Sequence, residues 1–304
     1  MLHTIFTRCR VLCVVVSIVA CCGCGGQPED QPTAGETVAV EETEVALGEA
    51  EEPAAAIAET EPAEAVVEEL NLVWQPDELK ARLGEDNLRI LDARSVDAYN
   101  ESHIPGAVPV DVADWKTQAS AEGGLHDAEA WAERLGEVGI DNSTRVVVYG
   151  DAMPNTARIW WTLKYVGVAD AAVLDGGWQA WVDAGGETST EAPTFEPAEF
   201  TPDFQAQRLA EIGDVKSSLG SDGLTIVDTR SAGEFSEHIP VAVHLEWSEL
   251  LDENGRFKSA GELRELFASN GIDPSSTAVT YCRSGGRASV EALALELAGF
   301  NNVK

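Results

Sequence analysis

Leu88-Arg89-Ile90-Leu91-Asp92-Ala93-Arg94-Ser95 returns later in the chain as Leu224-Thr225-Ile226-Val227-Asp228-Thr229-Arg230-Ser231. Each copy is a short apolar run that stops at Asp-x-Arg-Ser. A run of that length, bounded by polar residues, reads as a buried strand rather than a helix. The echo continues: Glu101-Ser102-His103-Ile104-Pro105-Gly106-Ala107 is answered by Glu237-His238-Ile239-Pro240-Val241-Ala242, and Val146-Val147-Val148-Tyr149 by Ala278-Val279-Thr280-Tyr281. A helical pattern follows in each half, Thr156 to Tyr165 and Arg287 to Ala298. The offset is 136 residues for the aspartates and 132 for the tyrosines. A spacing of that size marks a duplicated domain, since solenoid repeats are far shorter. Apolar runs alternating with helical patterns predict an α/β fold, each half a parallel sheet with helices on both faces. The stretch 196–207, with Pro197 and Pro202, reads as the linker between the halves, which are assigned to 70–195 and 208–304.

Composition bounds the rest. A chain of 304 residues with 44% hydrophobic content suffices for two cores and some extra sequence. A formal charge of −33, with no basic stripe, excludes a nucleic-acid partner. No Lys or Arg occurs between Arg10 and Lys80. At the N-terminus, Arg8 and Arg10 precede the apolar run Val11 to Ala20, short for a membrane span and suited to a signal-peptide core. Ile18-Val19-Ala20-Cys21 resembles a bacterial lipobox, which makes residues 1–21 a lipoprotein-type signal and Cys21 the lipidation site. Residues 22–69 are rich in Glu, Ala, Val, Pro and Thr and hold no aromatic residue. Such a segment cannot bury enough apolar surface to offset ordering, and is expected to be a disordered acidic spacer.

Five of the six cysteines lie in the first 24 residues, and Cys282 stands alone in the rest. It opens Cys282-Arg283-Ser284-Gly285-Gly286-Arg287, between a predicted strand and a predicted helix. A strand-to-helix turn of this kind points backbone N–H groups into one concavity, and the helix N-terminus adds positive potential. Both favour a thiolate at Cys282, so its pKa is expected to be depressed. Gly285 and Gly286 grant the turn its backbone freedom, and Arg283 and Arg287 are placed to hold an anion near the sulfur. Asp92 and Asp228 are expected to fix turns through backbone N–H groups. His103 and His238, present in both halves, read as structural. No Cys/His spacing outside the leader suits a metal, and no cofactor is implied.

Asp-x-Arg, His-Ile-Pro and the Cys-x-x-Gly-x-Arg loop together resemble the tandem-domain rhodaneses, the thiosulfate and 3-mercaptopyruvate sulfurtransferases. Leu250-Leu251-Asp252-Glu253-Asn254-Gly255-Arg256-Phe257 and Val173-Leu174-Asp175-Gly176-Gly177-Trp178 are similar to segments of that family, and the resemblance covers residues 70–304. It implies two tandem rhodanese-like domains. The first, with Gly150 and Asp151 after Tyr149, is catalytically silent; the second is catalytic. The second is expected to be without its last strand and helix, because the chain stops at Lys304. The resemblance also implies a Cys282 persulfide, stabilised by the Ser284, Gly285 and Gly286 segment, and gives Arg230 a role toward the substrate anion. The expected activity is transfer of the sulfane sulfur of thiosulfate to cyanide or a thiol, with 3-mercaptopyruvate as the alternative donor; enzymes of that branch carry Cys-Gly-Ser-Gly, whereas Cys282-Arg283-Ser284-Gly285 and its two loop arginines favour the dianion.

Two rivals come from other classes. Phosphatases and arsenate reductases grip oxyanions with five residues between Cys and Arg, whereas four separate Cys282 from Arg287. A surface-tethered sulfur carrier or redox module would use the same thiol without multiple turnover. A lipid on Cys21 would anchor a monomer in the bacterial cell envelope, facing the periplasm, where a single thiol in the domains avoids wrong disulfides.

Overall fold

The computed structural model describes residues 71–304. The expected leader, the Cys21 lipidation site and the acidic spacer to residue 69 lie outside the described residues.

The first half runs β1 (Val73–Trp74), α1 (Pro76–Arg82), β2 (Leu88–Asp92), α2 (Val96–Glu101), β3 (Ala107–Pro109), α3 (Val112–Ser120), α4 (Ala128–Glu137), β4 (Arg145–Tyr149), α5 (Met153–Val166), β5 (Ala171–Leu174) and α6 (Gly177–Asp183). Its strands lie in the order β1-β5-β4-β2-β3, every neighbouring pair parallel. A parallel sheet is covered on both faces, so its strands read as unbroken apolar runs. β4 shows how the period of two divides them. Val146 and Val148 face a core with Trp131, Leu135, Ile159 and Trp160, while Val147 and Tyr149 face a second core with Trp74, Leu79 and Trp181.

The second half repeats the plan with α7 (Ile212–Ser218), β6 (Leu224–Asp228), β7 (Val243–His244), α8 (Ala260–Ser269), β8 (Thr277–Tyr281) and α9 (Gly286–Leu297). Its parallel sheet has the order β7-β6-β8. The register is duplicated as well: Asp92 faces Tyr149 across β2 and β4, and Asp228 faces Tyr281 across β6 and β8. The expectation that this half has lost its last strand needs correction. Val303 pairs with Ala278 in parallel, as Ala171 of β5 pairs with Val146. The Ala278 N–H donates to the Asn302 carbonyl (2.9 Å), and the Thr280 N–H to the Lys304 carbonyl (2.8 Å). The ladder has therefore begun, while the helix matching α6 has no counterpart among the described residues.

α5 and α9 pack against each other and join the halves. Leu293 of α9 belongs to the first half's core, and Ala157 of α5 to the second's. Within the second half, Arg208 and Glu296 form a bidentate ion pair (2.6 and 3.2 Å). The expected linker is no free spacer. Thr201 and Asn142 exchange two hydrogen bonds (2.8 and 2.9 Å), Asp203 and Gln205 donate to the Val166 and Tyr165 carbonyls, and Phe200 is buried in the first core. The prolines signalled an extended path; the phenylalanines fasten it.

One turn carries a defect in only one copy. Ile104-Pro105-Gly106-Ala107 closes with an Ala107 N–H to Ile104 carbonyl bond (2.9 Å), and Gly106 has φ +79°. Ile239-Pro240-Val241-Ala242 closes the same way (3.0 Å) with Val241 at φ +66°. A turn with Pro second and a left-handed third residue selects glycine there, and a β-branched side chain in that conformation costs about 1–2 kcal/mol. Val241 is 64% exposed, so little packing offsets the cost. Val241→Gly is expected to stabilise the chain by about 1 kcal/mol in urea denaturation, the remainder being offset by glycine's freedom when unfolded. A loss of stability would contradict this.

Candidate active site

β8 ends at Tyr281, and Cys282 is the next residue, at the carboxyl edge of the sheet. That edge is where parallel α/β sheets present their binding sites. The loop then reverses through Gly285, whose φ of +96° favours glycine. It enters α9 at Gly286, where a Cβ would come within 2.8 Å of the Pro154 carbonyl oxygen in the other half. A side chain there would push the loop off α5.

Cys282 is half-buried, and its sulfur accepts the Gly285 N–H at 3.2 Å. Burial pushes the thiol up. The backbone N–H groups of Ser284, Ala288, Gly285 and Arg287 outweigh that and bring it below its ordinary value. Of the expected Ser284, Gly285 and Gly286, the first two are among these amides. Gly286 serves close approach, while the first turn of α9 supplies the Arg287 and Ala288 amides.

The three expected anion-binding arginines have different fates. Arg283 is exposed. Arg287 lies beside the Cys282 sulfur but is gripped by Glu234 through two bonds (2.6 and 3.1 Å), and Glu234 is brought down to about 2, first by that bonding. Arg230, expected to act toward the substrate anion, is tied into the fold through one side of its guanidinium. Its Nε and Nη2 bind the Asp228 carboxylate (2.8 and 2.6 Å), and Nη2 also reaches the Glu237 carbonyl (2.7 Å). The Tyr281 hydroxyl donates to Asp228 (2.6 Å) and accepts the Ile239 N–H (3.1 Å).

The half without a thiol contains the same corner. Arg94 binds Asp92 and the Ser102 carbonyl, and Tyr149 donates to Asp92 while accepting the Ile104 N–H. A network present in both halves holds the strand ends together. His103 and His238 belong to it: each ring nitrogen Nδ1 meets a backbone carbonyl (2.8 and 2.7 Å), and each ring stacks on an aromatic side chain, Tyr99 or Phe235. At the position of Cys282 the first half has Gly150, where a Cβ would come within 2.5 Å of Thr156 Oγ1. That site admits no side chain without rearrangement.

Sequence reasoning missed two residues. Glu234 was signalled by its place three residues after Ser231, whose hydroxyl donates to it (3.0 Å). Arg158 was signalled by a charge inside the apolar pattern of α5. It reaches from the first half to the loop, with Nη1 on the Ser284 carbonyl (2.5 Å) and Nη2 facing Ser284 Oγ (3.3 Å).

The rhodanese-like domain family matches residues 75–184 and 211–304. The chain belongs to the rhodanese-like sulfurtransferase family. A thiosulfate sulfurtransferase of Corynebacterium glutamicum is 33% identical over 250 residues, covering 74% of this chain and 82% of that protein. A protein described as a putative thiosulfate sulfurtransferase in Haloferax volcanii is 33% identical over 227 residues, covering 68% and 78%. The crystal structure of SseA from Escherichia coli, described as a 3-mercaptopyruvate sulfotransferase, superposes with a TM-score of 0.70 at 27% identity, covering 77% of this chain and 97% of that one. The first matched segment holds every strand of the first sheet but β1, and the second holds the second sheet and the Cys282 loop.

Proposed function

We propose that this chain is a thiosulfate sulfurtransferase working through a persulfide on Cys282. The Cys282 thiolate attacks the outer sulfur of thiosulfate. The new bond joins Sγ to that sulfur, the S–S bond of the donor breaks, and sulfite leaves with the bonding electrons. The anionic outer sulfur of the persulfide sits over the backbone amides. Cyanide or a thiolate then takes the outer sulfur, and Cys282 returns as thiolate. The observation that carries this reading is the place of the Cys282 sulfur at the N-terminus of α9, where it accepts the Gly285 N–H at 3.2 Å and backbone N–H groups bring its thiol below the ordinary value. Such a site holds an anion without a general base. Arg283, next in the chain and exposed, suits a small anionic donor.

A second donor is favoured by the Glu234 pair. Glu234 offsets the charge of Arg287, which suits a monoanion such as 3-mercaptopyruvate better than a dianion. Incubation of the full chain with each donor, followed by desalting and peptide mass analysis, separates the two. Thiosulfate is expected to add one sulfur to the peptide containing Cys282; cyanide removes it, and Cys282→Ser does not acquire it. A gain from mercaptopyruvate alone assigns the other donor. A gain from neither sinks both. Turnover over many cycles with cyanide separates the enzyme from a stoichiometric sulfur carrier. The lipobox at Cys21 and the acidic stretch after it support placing this activity on an envelope surface.

A further inference from the structure

We propose that Arg158, in the half that has no thiol, is a positioning residue for Cys282: by holding the Ser284 carbonyl it keeps the Gly285 N–H aimed at the sulfur. This rests on reading Cys282 as the reacting group. The argument begins with one peptide unit. The Ser284 carbonyl and the Gly285 N–H belong to the same plane, and in a trans peptide they point in opposite directions. Arg158 Nη1 lies on the oxygen side (2.5 Å), and Cys282 Sγ on the N–H side (3.2 Å). Fixing one end of the plane orients the other.

The environment of Arg158 supports this assignment. The chain has 53 acidic and 20 basic side chains, yet among the described residues Arg158 makes no ion pair. Both hydrogen bonds of its side chain go to Ser284. Burial lowers its pKa, and the Cys282 charge acts in the opposite sense, so sulfur and guanidinium feel each other. The contact is also shaped for nearness. A Cβ on Gly285 would come within 3.2 Å of Arg158 Nη1, and one on Gly286 within 3.0 Å of Nη2. The loop glycines thus admit the guanidinium as well as the turn. A further consequence concerns the duplication: the half that lost or never held a thiol still completes the anion cradle of the other.

The test follows the reactivity of Cys282 with iodoacetamide against pH, read by mass spectrometry on the peptide that contains it, in the full chain. The charged groups facing the sulfur are Arg287 with its partner Glu234, and Arg158 from α5, while Arg283 on the loop is exposed. In Arg158→Met, the titration midpoint of Cys282 is expected to rise by roughly 0.5–1 unit, the shift that losing one nearby cation and one aligned amide produces. Turnover should fall about tenfold with a smaller change in KM. Arg158→Lys keeps the charge without the two-pronged grip and should recover part of the shift. All variants are compared well below their melting temperatures. An unchanged midpoint in Arg158→Met overturns the proposal while leaving the persulfide reading intact. A parent protein whose Cys282 titrates like a free thiol, near 8.5, and takes no sulfur from either donor overturns both.

Discussion

Asp228→Ala is expected to cost about 3–5 kcal/mol and to unfold the second sheet first. Asp228 is fully buried and accepts from four partners: the Arg230 backbone N–H (3.1 Å), Arg230 Nε (2.8 Å), Arg230 Nη2 (2.6 Å) and the Tyr281 hydroxyl (2.6 Å). Removing one member of a buried ion pair leaves the other charge uncompensated, and that penalty sets the magnitude. Tyr281 precedes Cys282, so the loop should loosen before the sheet melts. The double substitution Asp228→Ala with Arg230→Met should cost clearly less than the sum of the single ones, because no stranded charge remains. Urea denaturation measures all three. A loss under about 1 kcal/mol for Asp228→Ala would show the corner to be incidental. The pH dependence has a definite sign. Burial pushes the Asp228 carboxyl up, but its bonds to Arg230 and Tyr281 bring it below the ordinary value. Its contribution is therefore fully present above the ordinary carboxylate pKa, about 4, and is lost as pH falls through the depressed value.

The repeated Asp-x-Arg motif made the sheets legible because register and side-chain network repeat together. The strand ends, the cysteine at the carboxyl edge and the helix behind it follow from short apolar runs and glycine placement. Roles for individual arginines were less legible. Arg94 and Arg230 look alike in sequence, and only the contact pattern shows that both brace the corner. Arg287 looked free because its partner Glu234 lies 53 positions away. Arg158 is farther still, 126 positions from Ser284. Spacing rules describe neighbours on one element; they are silent about which side chain of a distant helix a fold brings to a loop. The start of α5 was also displaced. The helix begins at Met153 instead of Thr156, because Pro154 is tolerated in a first turn, where no intrahelical N–H bond is lost.

Glu291→Met is expected to stabilise the chain by about 2 kcal/mol at pH 8. Glu291 lies on α9, behind the active loop, with no exposed surface, and neither carboxyl oxygen has a hydrogen-bond partner in the structure. A buried polar group without a partner costs about 1–3 kcal/mol by mutational measures. Burial, and then the charge of Glu249, push its pKa well above the carboxylate range. The linkage runs opposite to that of Asp228. Below the unfolded value, about 4.3, both states hold the proton and no stability is lost through ionisation. As pH rises above it, the unfolded chain releases the proton while the folded chain keeps it, so stability falls until the raised value is reached. Asp228 thus weakens the fold in acid, and Glu291 weakens it toward neutrality and above. Methionine has nearly the same length as glutamate and brings no charge, so the substituted chain should lose the decline toward alkaline pH and retain the acid limb set by Asp228. Thermal melting of parent and variant from pH 4 to pH 9 reads both limbs. Parallel curves, with no narrowing of the difference toward pH 4, would mean that Glu291 does not ionise differently in the folded and unfolded chain.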